Sequence, residues 1–380
     1  MPPQKYKICS KLVVDNSYSD ISFDKAGVSN TYNNFQNNIK KHWHTDKQGD
    51  AHLKATVALI KKEGKGKEFD SIMGLSGGLD SSYMLHKMVT EYGLRPLVFH
   101  VDGGWNSELA VHNINVLVDK LGLDLFTEVI NWQEMKNFQL AMFKSGVPHI
   151  DIPQDHSFIA VLYKFARMHN IKYILNGGNI ASESVAVPLD IFYWGTDLFQ
   201  IKDILKKFGT TKMKSYPFSS ILYHKLYLRY FRGIRVFKPL NYMPFIQKEA
   251  ISTLSELYDW KPYPQKHFES RFTRFFEGYW LPSRFGIDVR RAQFSSLILS
   301  GQMTRNEALE KLKEPPYAPE LMEQDFKYVA TKLGIEESEL RKYHEMPKKF
   351  YWDYKNMNRV FHLGELVLSK LSGTTRGGAF

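Results

Sequence analysis

The sequence predicts an α/β fold: a doubly wound parallel sheet, with a short irregular N-terminal segment before it and a mainly helical C-terminal region after it. Three observations carry this prediction. Between residues 69 and 178, apolar runs of strand length alternate with stretches of helical period. Gly93 and Gly122 close the first two of those helices, where a C-terminal glycine is expected. The first strand ends abruptly in Ser76-Gly77-Gly78-Leu79-Asp80-Ser81-Ser82, at the mouth of a helix.

The elements follow in order. "FDSIMGLS", "RPLVFHVD", "DLFTEVI" and "IKYILNGG" read as strands. "SSYMLHKMVTEYG", "SELAVHNINVLVDKLG", "WQEMKNFQLAMFKSG" and "HSFIAVLYKFARMHN" read as the helices between them, with Asp155 as a good N-cap for the last. Right-handed crossovers place every strand-to-helix loop on one sheet edge, where open α/β sheets bind ligands. Residues 180–240 form an aromatic, basic insertion. "RVFKPLNYMPF" is expected to return one strand to the sheet, and "QKEAISTLSELYDW" is a helix. Thr304 and Glu307 make a capping box. The tail "SGTTRGGAF" is expected to fray. Three parts result: an N-terminal segment at 1–66, the sheet domain at 67–260, and a helical region at 261–380 that completes the substrate site.

The 380 residues are 43% apolar and 14% aromatic, which excludes a disordered chain. No stretch approaches the ~20 apolar residues of a membrane span, the leader lacks the apolar core of a signal peptide, and Cys9 has no disulfide partner. A cytoplasmic protein with no membrane partner is expected. The net charge of +11 is concentrated at residues 205–238, a stretch that suits an anionic substrate, an acidic partner, nucleic acid or a solvated surface.

Gly77 and Gly78 let the backbone turn sharply and approach a ligand closely. The following helix offers unpaired N–H groups and the positive end of its dipole, and Ser76, Ser81 and Ser82 add hydroxyls. The loop lacks a Walker lysine, and Asp80 is out of place beside an anion unless Mg²⁺ stands between them. Pyrophosphate with Mg²⁺ explains more of the loop than bare phosphate does, the plain alternative being a helix cap with a tight turn.

This S-G-G-x-D-S resembles the phosphate loop of the PP-loop ATP pyrophosphatases, a group with an adenine nucleotide alpha hydrolase-like fold that includes GMP, asparagine and NAD synthetases. From about residue 6 to about residue 345 the chain resembles one branch, the N-acetyl sugar amidotransferases of surface-polysaccharide and nonulosonic acid biosynthesis. The resemblance rests on "GLSGGLDSSYMLH", "HVDGGWNSELAVHNI", "GVPHIDIPQDHSFIA", "ILNGGNIASES" and the long stretch "KHFESRFTRFFEGYWLPSRFGIDVRRAQFSSLILSGQMTRNEAL". It implies an ATP- and Mg²⁺-dependent amidotransferase acting on an N-acetylated, UDP-linked sugar in O-antigen, lipopolysaccharide or nonulosonic acid biosynthesis. Adenylating the acetamide oxygen gives the poor electrophile a leaving group, and ammonia then attacks to form an acetamidino group. No glutaminase nucleophile is present, so the resemblance implies a glutamine amidotransferase subunit and a cyclase-like barrel subunit as ammonia suppliers. The basic insertion is a candidate docking surface for them.

The branch opens with two C-x-x-C pairs, whereas this chain has Cys9, Leu12, Ser29 and Tyr32 at the corresponding positions. One soft ligand does not make a tetrahedral zinc site. No zinc is expected, with apolar packing of Leu12, Val13, Val14, Ile21, Phe23 and Tyr32 in its place. The metal of the relatives is then structural.

The candidate residues follow. Ser76, Gly77, Gly78, Asp80, Ser81 and Ser82 hold the ATP phosphates, with Asp80 also on Mg²⁺. His100, Val101 and Asp102 lie beside the nucleotide as the resemblance implies, although Asp102 equally suits a strand-end turn. Gly177 and Gly178 allow close approach to it. Asn179, Glu183, His149, Asp151, His156, Arg290 and Arg291 are candidates for the substrate. Lys266, His267 and Arg271 join Asp80 as catalytic candidates, with some of these basic groups expected in plain ion pairs with Glu269, Glu277 or Asp288. Two other functions fit the same loop: a tRNA-modifying enzyme of the lysidine synthetase type, for which nucleic acid would be the partner, and a non-catalytic subunit of an amidotransferase complex.

Overall fold

A computed structural model describes residues 5–364. Five strands, β1 (Ser71–Gly74), β2 (Pro96–Asp102), β3 (Leu125–Val129), β4 (Tyr173–Leu175) and β5 (Arg235–Phe237), form one sheet in the order β3-β2-β1-β4-β5. Every neighbouring pair is parallel. β5 is the expected return strand. The order reverses at β1, so the loop after β1 sits at the switch point of the sheet, where a crevice opens between oppositely directed crossovers.

Successive residues of each strand enter different cores, as the pleat requires. Ile72, Leu97, Phe99 and Ile174 belong to one, and Met73, Val98, Tyr173 and Leu175 to the other. Helices Lys47–Glu63, Leu79–His86, Glu108–Leu121 and Gln247–Tyr258 cover the second face. Helices Trp132–Ser145, Ile152–Met168, Leu198–Phe208 and Pro319–Leu333 cover the first. The doubly wound α/β sheet and the helical C-terminal region are therefore as the sequence predicts. Among the described residues, no helix is long and apolar enough to cross a membrane. The tail at 372–380, expected to fray, lies outside the described residues.

The N-terminal segment packs into the core. Cys9, Leu12 and Val14 share a cluster with Ile72 and Phe99, and Val13 packs with Phe294 and Ala308. Ile21, Phe23 and Tyr32 lie partly buried against the main cluster. The Cys9 Sγ accepts N–H bonds from Lys11 (3.4 Å) and Ser29 (3.3 Å). The Arg305 guanidinium donates to the Cys9 and Leu12 carbonyls, tying this segment to the helical region. The Thr304–Glu307 capping box is present.

One helix start differs from its expectation. Asp155 does not cap: the helix runs Ile152–Met168, with Asp151 at the N-cap position and Pro153 in the first turn, where a missing N–H costs nothing. The basic insertion contains the helix Leu198–Phe208 and a helical segment Tyr223–Phe231. It is pinned to the domain by the buried Glu134 carboxylate, which accepts the backbone N–H groups of Lys214 (2.6 Å), Ser215 (3.0 Å) and Tyr216 (2.5 Å).

Candidate active site

The loop after β1 turns on Gly77, whose φ of +83° is costly for any residue with a Cβ. A Cβ there would also lie 2.7 Å from the Ala110 carbonyl oxygen. The Gly77 carbonyl is held by three donors: Trp260 Nε1 (3.1 Å), the Tyr263 hydroxyl (3.3 Å) and Asn113 Nδ2 (3.4 Å). The Ser76 hydroxyl contacts Ser81 Oγ and accepts the Gly78 N–H, both at 3.3 Å. The helix Leu79–His86 begins at once, with Gly78 at its N-cap and no side chain capping it. Its first N–H groups therefore keep their capacity for an anion. Ser82 is fully buried, and its Oγ has no hydrogen-bond partner.

Over this loop lies residue stretch 266–269, brought from 186 positions further along the chain. Asn106, in the loop after β2, forms an antiparallel bridge with Ser270. Ser107 N–H donates to the Glu269 carbonyl and Arg271 N–H to the Trp105 carbonyl, each at 2.9 Å. This short zipper fixes three side chains against the loop after β1. The Lys266 ammonium contacts Asp80 Oδ2 at 2.5 Å and Glu183 Oε1 at 2.8 Å, and donates to Ser182 Oγ at 3.2 Å. The Glu269 carboxylate lies over Gly78, where an added Cβ would meet it. His267 takes a left-handed conformation (φ +68°), and its Nδ1 pairs with Glu277 at 2.9 Å.

The electrostatics follow from these pairs. Burial opposes the Lys266 charge, but Asp80 and Glu183 outweigh it and hold the ammonium above its ordinary range. Burial likewise opposes ionisation of Glu183, and Lys266 overrides it, drawing the carboxyl below its usual range. His267 is opposed by burial but pushed up to about 9 by Glu277, so it is a cation at neutral pH. Glu269 moves the other way: burial raises it, and the nearby His267 and Lys266 only partly compensate. The result is a cleft of about 460 Å³ lined by Ser76, Gly78, Asp80 and Ser81 of the loop after β1, but not by Gly77 or the fully buried Ser82, together with Gly177, Gly178, Glu183, Lys266, His267 and Glu269. Its lining carries the cationic Lys266, His267 and Lys311 and the carboxyl groups of Asp80, Glu183 and Glu269.

The remaining candidates divide by position. Asp80, Glu183, Lys266 and His267 meet in the cleft with Ser76, Gly78 and Ser81. Gly178 also lines it, and Gly177 does so mainly by letting its loop pack on the first turn after the phosphate loop: a Cβ there would sit 3.2 Å from the Ser81 nitrogen. His100 is buried, with Nδ1 on the Leu75 carbonyl and Nε2 on Asn106, and Val101 packs in the core. Asp102 shapes the turn after β2, accepting the Gly104 N–H at 2.8 Å. Asn179 is fully buried and caps the turn Ile180–Glu183 through the Ser182 N–H, so it does not face substrate.

The histidine loop does not reach the cleft either. His149 is sandwiched between the rings of Phe192 and Phe276 and pairs with Asp155 at 3.1 Å. Asp151 is buried, bonded to Thr273 (2.6 Å) and Gln154, and its carboxyl is raised well above the usual range by burial and by Asp155. His156 has no exposed surface. It is bonded to the Gly195 carbonyl (2.8 Å) and the Ser219 N–H (3.0 Å), and burial lowers it to about 4.

Three arginines are structural. Arg271 bonds the fully buried Asp325 at 2.7 Å and stacks on Tyr328. Arg290 pairs with Asp288 at 2.6 Å, and Arg291 with Asp15 at 3.0 Å. Sequence reasoning missed Ser182, Trp260 and Tyr263, and took Glu269 only as an ion-pair partner. The compact "WKPYPQKHFE" stretch was the available signal: aromatic and polar donors at short spacing just before the residues that close the cleft.

Comparison with known proteins gives one family match: the family described as "LPS biosynthesis protein WbpG-like, C-terminal domain" matches residues 269–368. No curated protein matches. Among solved structures, an NMN synthetase from Francisella tularensis is 12% identical with a TM-score of 0.33, covering 80% of this chain and 99% of that one. An NH3-dependent NAD synthetase from Campylobacter jejuni subsp. jejuni NCTC 11168, in complex with the nitrate ion, is also 12% identical, with a TM-score of 0.31 and coverage of 79% and 98%. The U34-tRNA thiolase NcsA from Methanococcus maripaludis, with its [4Fe-4S] cluster, is 13% identical with a TM-score of 0.30, covering 67% and 79%. At these scores the superpositions carry no functional argument.

Proposed function

We propose that this chain is an ATP-dependent amidotransferase that converts an acetamido group of a UDP-linked N-acetyl sugar into an acetamidino group, in lipopolysaccharide or nonulosonic acid biosynthesis. The observation that carries this reading is the convergence of the glycine-and-hydroxyl loop at 76–82 with Lys266, Asp80 and Glu183 in one cleft at the sheet's switch point. The match of residues 269–368 to a lipopolysaccharide-biosynthesis domain supports the pathway class.

The residues fit ATP. Free N–H groups at the start of Leu79–His86 and the Ser76 and Ser81 hydroxyls that line the cleft suit phosphate oxygens. Asp80 and Glu183 are the carboxylates that would hold Mg²⁺, with phosphate oxygens and water completing its shell. ATP would supply the adenylyl group that turns the amide oxygen into part of a leaving group, with pyrophosphate released first and AMP on attack by ammonia.

The protein's own tasks are positional and electrostatic. Lys266 and protonated His267 face the phosphates and offset charge that builds on them. Glu269, its carboxyl raised by burial, is the group able to take a proton from incoming ammonia. Ammonia is supplied by a glutamine amidotransferase subunit with a cyclase-like barrel subunit.

Incubation with ATP, Mg²⁺, ammonium and a panel of UDP-N-acetyl sugars tests the reading. AMP and pyrophosphate should appear only when an acetamido sugar is present, and the sugar product should be lighter by the difference between O and NH. Release of ADP, or AMP formation that requires tRNA, overturns it.

A further inference from the structure

The second unusual region is a surface. Residues 204–248 contain ten Lys and Arg and not one Asp or Glu, whereas the rest of the chain carries 41 basic and 40 acidic residues. One segment therefore accounts for nearly the whole net charge. Within it the helical segment Tyr223–Phe231 is anchored on one side only, by the buried Leu228 and by His224, whose ring stacks on Tyr163 at 4.2 Å. Its other sides expose Leu222, Leu226, Tyr227, Tyr230 and Phe231. Phe231, at 80%, is the most exposed large hydrophobic side chain among the described residues. Arg229 and Arg232 are exposed between these apolar groups, and Val236 extends the surface onto the edge strand β5, where the neighbouring Arg235 is engaged by Glu63 at 3.8 Å and the Tyr173 hydroxyl at 3.0 Å.

The tip of this surface lies at the amino end of the sheet, away from the phosphate loop: Lys172, just before β4, donates to the Arg232 carbonyl at 2.6 Å. It is not part of the cleft, and it stands independently of the proposed chemistry.

We propose that this helical segment and the adjoining end of β5 are a docking face for an anionic lipid membrane surface. Convex leucines and a phenylalanine gain by entering an apolar medium, tyrosines suit the interface, and flanking cations meet lipid phosphates. Each Lys or Arg held near an anionic surface adds to the attraction. A second copy of the chain is disfavoured as occupant, since two such faces repel each other. Nucleic acid would meet the cations but leave Leu222 and Leu226 uncovered. The sequence-based expectation of no membrane partner rested on the lack of a span. Surface association needs none.

The test is co-sedimentation of the full chain with phosphatidylcholine vesicles, with and without phosphatidylglycerol. Binding is expected only to the anionic vesicles, weakening as salt rises. L226E/F231E and R229E/R232E, all at exposed positions, should each lower the partition coefficient about tenfold or more while leaving the circular dichroism spectrum and melting temperature unchanged. No binding to anionic vesicles overturns the proposal. So does binding that both variants retain, or binding to polyglutamate or poly(U) in preference to the vesicles, which would assign the face to an acidic protein or to RNA.

Discussion

Residues 149–156 and 266–269 look alike as sequence and behave oppositely in the fold. Both are short polar clusters bearing histidine and acid, and both are candidates for the chemistry. In the first, the polar residues alternate with Pro148, Ile150, Ile152 and Pro153, which draw the loop inward. His149 and His156 then find protein partners for both ring nitrogens, and Asp151 is bonded to Thr273 and Gln154. In the second, the stretch is zipped along the loop after β2, and Lys266, His267 and Glu269 open onto the cleft. A polar group saturated by the protein stabilises the fold. One held mainly by other charges at a cleft wall is available to a ligand.

The comparison breaks or sharpens at four points. The largest effect is expected for Lys266→Ala: pyrophosphate release should fall by on the order of 10²–10³-fold. If turnover survives, the cleft cluster is no more functional than the buried one. Next, His156→Ala leaves the Gly195 carbonyl and the Ser219 N–H unpaired, and should cost about 2–4 kcal/mol in urea unfolding while ATP affinity is retained. A change in KM at unchanged stability would move His156 into the site.

Gly77→Ala combines a left-handed φ with a backbone contact, and should destabilise by about 1–3 kcal/mol and weaken ATP binding, read by thermal melts with and without nucleotide. The smallest effect concerns pH. His267 titrates near 9 in the fold against an ordinary value of ~6.5, so its pairing with Glu277 is fully present below ~6.5 and is lost as pH rises through about 9. Pyrophosphate binding should weaken over that rise, and Glu277→Gln should shift the transition toward ~6.5. An unchanged profile in the variant would remove His267 from phosphate binding.

The sheet was readable because its signals are local. Strand-length apolar runs, glycine stops and the 76–82 loop each sit within one element, and even the return strand at Arg235–Phe237 showed as an apolar run. The site was readable only in its first half. Nothing in the spacing says that Asn106 pairs with Ser270, or that Trp260 and Tyr263 hold the Gly77 carbonyl. Arg271, Arg290 and Arg291 have the composition of an anion site, yet Asp325, Asp288 and Asp15 take them in ion pairs. The partner of a charge is set by tertiary contacts, which a residue pattern does not encode.

The salt bridge between Asp80 and Lys266 spans 186 positions of the chain. A ribosome must therefore finish the sheet and begin the helical region before the nucleotide cradle meets its cations. A nascent or clipped fragment ending before residue 266 would carry the cradle without them. The cleft comes into being only when these two distant stretches of the polypeptide have found each other.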